Sequence, residues 1–195
     1  LLRGGGKSIA GTHTPDLAFL NLVADAAKVR ALANGKDVRL GLNIETEFVD
    51  SDRASRLTRE VLHEAFEEGA VACDLETYVD DIERHTALQA FKAKIRAIGF
   101  STKKRSVSVL WQLLDPITVA MLQMALASLR IKFIFHNALY DRTVFAANGF
   151  YLSPEFDDTL LMHHAAFPGM AHNLQQVTAQ FFATTPARLV MHVRL

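Results

Sequence analysis

The 195-residue sequence contains only one cysteine, Cys73, and this excludes an internal disulfide framework. Cys73 lies in an apolar stretch that is typical of a core strand, which suits a reducing compartment. No apolar run reaches the length of about 20 residues that a membrane-spanning helix needs. The first residues lack the charged-then-apolar pattern of a signal peptide. We therefore expect a protein with no membrane partner.

The sequence also lacks an excess of charge of either sign, because 21 lysines and arginines balance 21 aspartates and glutamates. A domain that holds nucleic acid tightly by itself is usually basic, so the balance argues against a stand-alone binder of this kind. A nuclease that receives its substrate from another domain is compatible with zero net charge. The hydrophobic content of 50% is ample for a core, and the length suits one domain with some excess.

The stretch from Val71 to Tyr78 is predicted to be a buried strand that carries two carboxylates on one face. Side chains alternate along a strand, so Asp74 and Glu76 point the same way, whereas Cys73 and its apolar neighbours pack under a helix. Like charges in an apolar environment repel, and a cation that prefers oxygen ligands, such as Mg²⁺ or Mn²⁺, relieves the repulsion. The alternative is that both carboxylates are exposed and solvated at the end of the strand.

A second apolar strand, Ile131 to Phe135, ends in the polar residues His136 and Asn137. We predict that a helix follows from Ala138 to Asn148, with Asp141 in its first turn. In sheets with helices packed on them, active sites lie where strands end and helices begin. This position makes Asp141 a candidate partner of the two carboxylates on the first strand.

The remaining pattern predicts helices at 15–34 and 51–68, a hairpin of strands at 95–101 and 106–111, and a helix that begins at Pro116. The apolar periodicity and the turn residues between these segments support the assignments. Strands, hairpin and helices in this order predict an α/β fold, with a mixed sheet and helices packed on its faces.

The sequence also predicts which surfaces of three of these elements are exposed or buried. Helix 51–68 has four glutamates that are expected to form its solvated face, and the basic hairpin tip at 102–105 is expected to serve solubility or to contact phosphate. The helix that Asp115 and Pro116 begin is expected to bury a broad apolar side, with its methionines in the core. The four glutamates are Glu60, Glu64, Glu67 and Glu68. The apolar side comprises Ile117, Met121, Met124, Ala125 and Leu129.

Two segments of the chain together resemble the DEDD-type 3′–5′ exonucleases. Asp74-Leu75-Glu76-Thr77 is similar to the first motif of that family, and His136-Asn137-x-x-Tyr140-Asp141 is similar to the second. Among these exonucleases, the chain is most similar to the proofreading domain of family A (polymerase I-like) DNA polymerases from phage or bacteria. The resemblance covers roughly residues 66–182. The segments 158–164 and 172–174 resemble the region C-terminal to the second motif in those proteins.

The resemblance implies an RNase H-like fold and a site for two Mg²⁺ or Mn²⁺ ions. The implied catalytic residues and metal ligands are Asp74, Glu76 and Asp141. Asp74 would bridge both ions, Glu76 would hold the ion that generates hydroxide, and Asp141 would hold the other.

The resemblance also implies that Thr77, His136 and Asn137 bind the substrate. His136 and Asn137 would orient the terminal nucleotide or the carboxylates. Their alternative role is a strand-end hydrogen bond that fixes the turn. Tyr140 is expected to be a packing residue.

The implied activity is the hydrolysis of phosphodiester bonds at single-stranded 3′ ends of DNA during proofreading, with a 3′–5′ exoribonuclease as an alternative. The implied partners are the 3′ end of single-stranded DNA and a polymerase domain in the same longer chain. The implied location is the cytoplasm of a bacterial or phage-infected cell.

The sequence departs from the family in the third motif, in which an Asp lies four residues after a Tyr or His. No Asp or Glu follows Asp158. We therefore expect residues 51–186 to form an exonuclease-like domain that is incomplete at its C-terminus and nearly inactive alone. Residues 1–50 would be an N-terminal helix and linker, or the tail of a preceding domain, and residues 187–195 a tail. The second hypothesis is a non-catalytic relic that serves as a scaffold or binds nucleic acid.

Overall fold

The computed structural model describes residues 45–81 and 89–181 of the protein. The predicted helix at 15–34 and the tail after residue 186 lie outside the described residues. The sheet and the helices that cover it belong to one compact unit, residues 43–159, and the described residues from Leu160 onward belong to a second unit.

Six strands form one mixed sheet. They are β1 (Glu45–Val49), β2 (Ala70–Tyr78), β3 (Lys94–Ser101), β4 (Arg105–Leu110), β5 (Lys132–Phe135) and β6 (Phe156–Asp158). Their order across the sheet is β1-β4-β3-β2-β5-β6. β3 is antiparallel to both of its neighbours, whereas the remaining pairs are parallel. The predicted α/β fold with a mixed sheet is confirmed.

The described residues form five α-helices. They are α1 (Ala54–Glu68), α2 (Pro116–Ala127), α3 (Ala138–Ala147), α4 (Thr159–Ala166) and α5 (Leu174–Phe181). α1 packs against α2, β2 and β4, and α3 packs against β3 and β5. In the part of the chain that is described, every helix is too short or too polar to cross a membrane.

Strand β2 lies inside the sheet and alternates as predicted. Val71, Cys73 and Leu75 are buried in the core, whereas Asp74 and Glu76 are exposed. One face of β2 therefore belongs to the core, and the other presents two carboxylates.

The acidic face of α1 and the basic hairpin tip bind each other. Glu64 is buried, accepts a hydrogen bond from the Thr102 hydroxyl at 3.0 Å, and lies 2.9 Å from a guanidinium nitrogen of Arg105. Glu60 binds the same guanidinium at 3.2 Å. The expectation of a merely solvated face is therefore wrong for Glu64, because the sequence does not reveal that the β3–β4 turn folds back over α1.

The prediction that α2 buries this apolar side is also wrong. Ile117 and Met124 are 70% and 73% exposed, and Met121 is 38% exposed. Only Ala125 of the expected set is buried within the helix, and Leu129 beyond its end is exposed as well. The residues of α2 that are buried are Thr118, Leu122, Ala125 and Leu126.

The rotation of α2 is set by polar contacts rather than by its apolar pattern. The helix is apolar on almost every side, so periodicity does not select a buried face. Arg59 on α1 donates to the Asp115 carboxylate at 2.8 Å and to the Thr118 hydroxyl at 2.6 Å. Asp115 caps the helix by accepting the backbone N–H of Thr118 at 2.6 Å, as predicted. These contacts turn the Thr118 side toward α1.

Candidate active site

A carboxylate from β6 fixes the point at which α3 begins. Asn137, between β5 and α3, has the left-handed φ of 70°. Asp158 pairs with Phe135 in the sheet and accepts the backbone N–H of Asn137 at 3.1 Å and that of Ala138 at 2.9 Å. An anion at a helix N-terminus satisfies N–H groups that have no partner within the helix. Asp158 thereby holds the first turn of α3, which carries Asp141.

Replacing Asp158 by alanine is expected to lower the free energy of unfolding by about 2 kcal/mol, because two N–H groups lose their acceptor. Asp158→Asn retains one acceptor oxygen and should lose less. Asp157→Asn is the matched control, since Asp157 lies on the same strand but pairs with Lys132 at 3.7 Å. Urea unfolding measures all three variants. An alanine variant as stable as the unsubstituted chain would contradict the capping role.

Asp141 is a buried carboxylate with an incomplete set of hydrogen bonds. The residue is 3% exposed, and its Oδ1 atom has no hydrogen-bond partner in the described part of the chain. Burial raises the pKa of Asp141 from 3.8 to about 7, with a further contribution from Asp74, whereas the backbone N–H of Leu75 opposes the rise. Ionised Asp141 is therefore costly as it stands.

The carboxyls on β2 are shifted in the same direction. Partial burial raises the pKa of Asp74, and the backbone N–H of Leu75 and the ring of His136 oppose the rise. Burial and then repulsion from Asp74 raise the pKa of Glu76, whereas Arg96 lowers it. Both side chains are open to solvent, so water weakens these effects more than at Asp141.

The electrostatic surroundings of Asp74 and Asp141 overlap. The N–H of Leu75 lowers the pKa of both carboxyls, and the charge of Asp74 raises the pKa of Asp141. Among residues 45–81 and 89–181, no three His, Cys, Asp or Glu side chains are arranged so that they could hold a metal ion. The structure thus brings together two of the three expected ligands, and the place of Glu76 as a third ligand stays a prediction.

The chemistry of the Asp74–Asp141 pair fits a divalent cation. Two carboxylates that repel each other, one of them buried with the unpaired oxygen Oδ1, lose their mutual repulsion when a cation lies between them. Oxygen atoms of this kind are the ligands that Mg²⁺ and Mn²⁺ prefer.

His136 is oriented through its Nδ1 atom. Nδ1 lies 2.9 Å from the Thr159 hydroxyl, and Thr159 uses its hydroxyl hydrogen to bind the carbonyl of Phe135 at 3.0 Å. Nδ1 must therefore carry the hydrogen that is donated to Thr159, and the lone pair of the neutral ring is on Nε2. The ring also lies close enough to Asp74 to lower the pKa of that carboxyl.

Thr77 and Tyr140 are joined through their hydroxyl oxygens, which are 2.6 Å apart. Tyr140 also packs against the core, so its expected packing role agrees with the structure. Asn137 is exposed, and its side chain makes no capping hydrogen bond to α3. The roles of Thr77, His136 and Asn137 in binding substrate stay predictions.

Sequence reasoning assigned no role to two residues near this pair. Asp158 acts on α3 only because β6 lies beside β5, which the sequence does not state. Arg96 is the single charged residue in the apolar run Ile95–Phe100. A lone charge in a buried strand could have identified Arg96 from the sequence as a candidate functional residue.

The fold is shared with solved nuclease and polymerase structures. The catalytic core of RRP6 from Trypanosoma brucei superposes with a TM-score of 0.53 and 19% identity, over 73% of this chain and 36% of that one. Escherichia coli RNase D, an exoribonuclease involved in structured RNA processing, gives 0.52 and 19%, over 73% and 34%. The POL domain of Pol1 from M. smegmatis, in complex with DNA primer-template and dNTP, gives 0.56 and 16%, over 70% and 22%.

These similarities support the RNase H-like fold, and the chain spans 36%, 34% and 22% of the length of these three structures, in that order. A search of curated proteins finds no significant match. A family model described as 3′-5′ exonuclease matches residues 46–189. Because this match covers more than half of the chain, the protein belongs to the family of 3′–5′ exonucleases.

Proposed function

We propose that this domain hydrolyses phosphodiester bonds at single-stranded 3′ ends of DNA and releases nucleoside monophosphates, in a reaction that depends on two divalent cations. The observation that carries the proposal is the pairing of Asp74 with Asp141, whose buried Oδ1 atom lacks a partner in the described residues. In a member of the 3′–5′ exonuclease family, such a costly pair is well explained as a cation site.

Asp74, Glu76 and Asp141 are the residues proposed to hold Mg²⁺ or Mn²⁺. When bound, the ions would supply an activated water and stabilise the charge that develops on the leaving 3′ oxygen. The protein's own part is to fix the carboxylates. Asp158 holds the first turn of the helix that carries Asp141, and His136 lies close enough to Asp74 to lower the pKa of that carboxyl.

His136, Asn137 and Thr77 are proposed to orient the terminal nucleotide. Asn137 is exposed where β5 ends, and its amide offers both donors and an acceptor to a base or sugar. The Thr77 hydroxyl is bound to Tyr140, so these two residues would act as a unit. Recognition of backbone and stacked bases, rather than of sequence, suits a nuclease that trims ends.

A polymerase domain in a longer chain is the proposed partner. Zero net charge gives this domain little general attraction for nucleic acid, so another domain would deliver the 3′ end. The reaction would take place in the cytoplasm of a bacterial or phage-infected cell.

The direct test is shortening of 5′-labelled single-stranded DNA and RNA, with Mg²⁺, with Mn²⁺ and with EDTA. A longer chain that adds the Tyr-x-x-x-Asp or His-x-x-x-Asp motif is expected to give a ladder that shortens from the 3′ end of DNA with either cation, and no ladder with EDTA. The present chain alone should shorten the strand only very slowly. Faster shortening of RNA would favour the exoribonuclease alternative, and binding without shortening would favour the non-catalytic one. The same assay on a longer chain that adds a Tyr-x-x-x-Asp or His-x-x-x-Asp motif tests whether the fourth carboxylate raises activity.

Cation binding is also expected to stabilise the fold independently of activity. A ligand present at 100 times its dissociation constant adds about 2.7 kcal/mol to the free energy of unfolding. Millimolar Mg²⁺ should therefore raise the melting temperature of the unsubstituted chain at pH 8. The double variant Asp74→Asn with Asp141→Asn should not respond, whereas Asp157→Asn should respond fully. An unchanged melting temperature in both Mg²⁺ and Mn²⁺ would count against the cation site.

A further inference from the structure

Arg96 lies at an irregularity of the sheet directly across from the candidate ligands. On β2 and β3, Glu76 is in register with Ala97, but the next residue, Thr77, is in register with Ile95. Arg96 is therefore the extra residue of a β-bulge, and it lies between the partners of Glu76 and Thr77. A bulge of this kind redirects a side chain that regular alternation would send to the other face of the sheet.

The electrostatics agree with this placement. Arg96 is near enough to Glu76 to lower the pKa of that carboxyl against the effects of burial and of Asp74. This effect agrees with the register, which places Arg96 across from Glu76 and Thr77.

The guanidinium of Arg96 has no acceptor among the described residues. In residues 45–81 and 89–181, Arg96 makes no hydrogen bond through its side chain and no ion pair within 4.0 Å, although it is half-buried. Other positively charged residues of β3 and β4 do have partners, since Lys94 binds Asp80 and Arg105 binds Glu64. A half-buried guanidinium with five N–H donors and no acceptor is suited to a ligand that brings its own anionic oxygens.

The substrate of the proposed reaction brings such oxygens. A phosphodiester strand is an anion, and at this site it must approach Asp74, Glu76 and Asp141. The planar guanidinium fork matches two phosphate oxygens and forms short, charge-assisted hydrogen bonds with them. An arginine at the edge of an acidic site would hold the strand where repulsion alone would expel it.

We propose that Arg96 binds a phosphate at the 3′ end of the single strand, beside Glu76, as a substrate-contacting residue. This inference rests on the proposed function, because it assigns a further contact within the same site.

The first test is binding of a short fluorescein-labelled oligothymidylate, measured by anisotropy in EDTA over a series of KCl concentrations. Arg96→Gln should weaken binding about tenfold, as expected for a lost charge-assisted hydrogen bond. The slope of log K against log salt should fall by about 0.7, the value for one phosphate of a single strand. Arg96→Lys should recover the slope but only part of the affinity.

Arg130→Gln is the matched control. Arg130 carries the same charge but lies before β5, with its guanidinium over the ring of Phe66 at 4.7 Å. This variant should bind as the unsubstituted chain does. An equal loss in Arg96→Gln and Arg130→Gln would show a general charge effect and would overturn the assignment of Arg96.

A second test separates phosphate binding from an indirect effect through Glu76. If Arg96 only offsets the charge of Glu76, Arg96→Gln should have no effect on binding in a chain that already carries Glu76→Gln. If Arg96 contacts phosphate, the tenfold loss and the lower salt slope should persist in that background.

The ligand offers a complementary change. A methylphosphonate linkage removes the charge of one phosphate, and placing it at successive linkages from the 3′ end should locate the contact. At one of these positions the unsubstituted chain should bind the modified strand more weakly than the unmodified one. Arg96→Gln should bind both strands equally, because it already lacks the contact. No such position would overturn the inference. A chain that neither binds nor shortens any single strand would overturn the proposed function as well.

Discussion

Replacing Asp74 by asparagine is expected to lower the rate of exonucleolytic cleavage by about 10³-fold, as when other groups that stabilise charge in a transition state are removed. Asparagine preserves the shape of the side chain and removes its charge. The charge of Asp74 raises the pKa of both Asp141 and Glu76. Its loss should weaken the hold on both proposed ions.

The fold should tolerate this substitution. Asp74→Asn removes a charge that repels Asp141, so the free energy of unfolding at pH 8 without cations should be equal or higher. Cleavage is measured on labelled single-stranded DNA in the longer chain that carries the Tyr-x-x-x-Asp or His-x-x-x-Asp motif, with Asp157→Asn as the control that leaves the pair intact. Undiminished cleavage by Asp74→Asn would overturn the assignment of the site. A variant that fails to fold would instead show that Asp74 is structural.

Without divalent cations, the stability of the protein is expected to fall as the pH rises through the pKa of Asp141. That pKa is about 7 in the folded chain and 3.8 in its ordinary state, a difference that corresponds to about 4 kcal/mol. Because the folded pKa is raised, the folded chain binds the proton more tightly. The stabilisation that Asp141 contributes to the folded chain is fully present below about pH 4 and is lost as the pH approaches and passes about 7.

Asp141→Asn should remove most of this dependence. Urea unfolding of both chains in EDTA, at pH 5 and at pH 8, measures the difference, and the variant should be the more stable chain at pH 8. Mg²⁺ should reduce the difference in the free energy of unfolding between the two chains at pH 8, because it stabilises only the chain that retains the carboxylate. The same pH dependence in both chains would show that Asp141 titrates normally.

Local sequence determined much of the framework. The alternation of Val71 to Glu76 was sufficient to predict a strand with Asp74 and Glu76 on one face, because a strand has a strict period of two. Asp115 followed by Pro116 was sufficient to predict where α2 begins, because capping acts within one turn. The motif around Asp141 placed that residue in the first turn of a helix, where the structure has it.

The rotation of α2 and the docking of the hairpin on α1 were decided only by tertiary structure. Met121 and Met124 belong to a helix without a polar face, so an arginine on another helix selected the buried side. Glu64 has the same local signature as the other glutamates of α1, and only the fold of the β3–β4 turn buries it.

In the candidate site, too, some features follow from the local sequence and others only from the tertiary structure. The sequence by itself predicted which residues carry the acidic chemistry, Asp74, Glu76 and Asp141, because residue type and strand period are local properties. Tertiary structure decided that the charge of Asp74 acts on Asp141, that Asp158 caps α3 from β6, and that a bulge places Arg96 across from Glu76 and Thr77. Strand order and register join residues far apart in the chain, and neither can be read from any one segment of it.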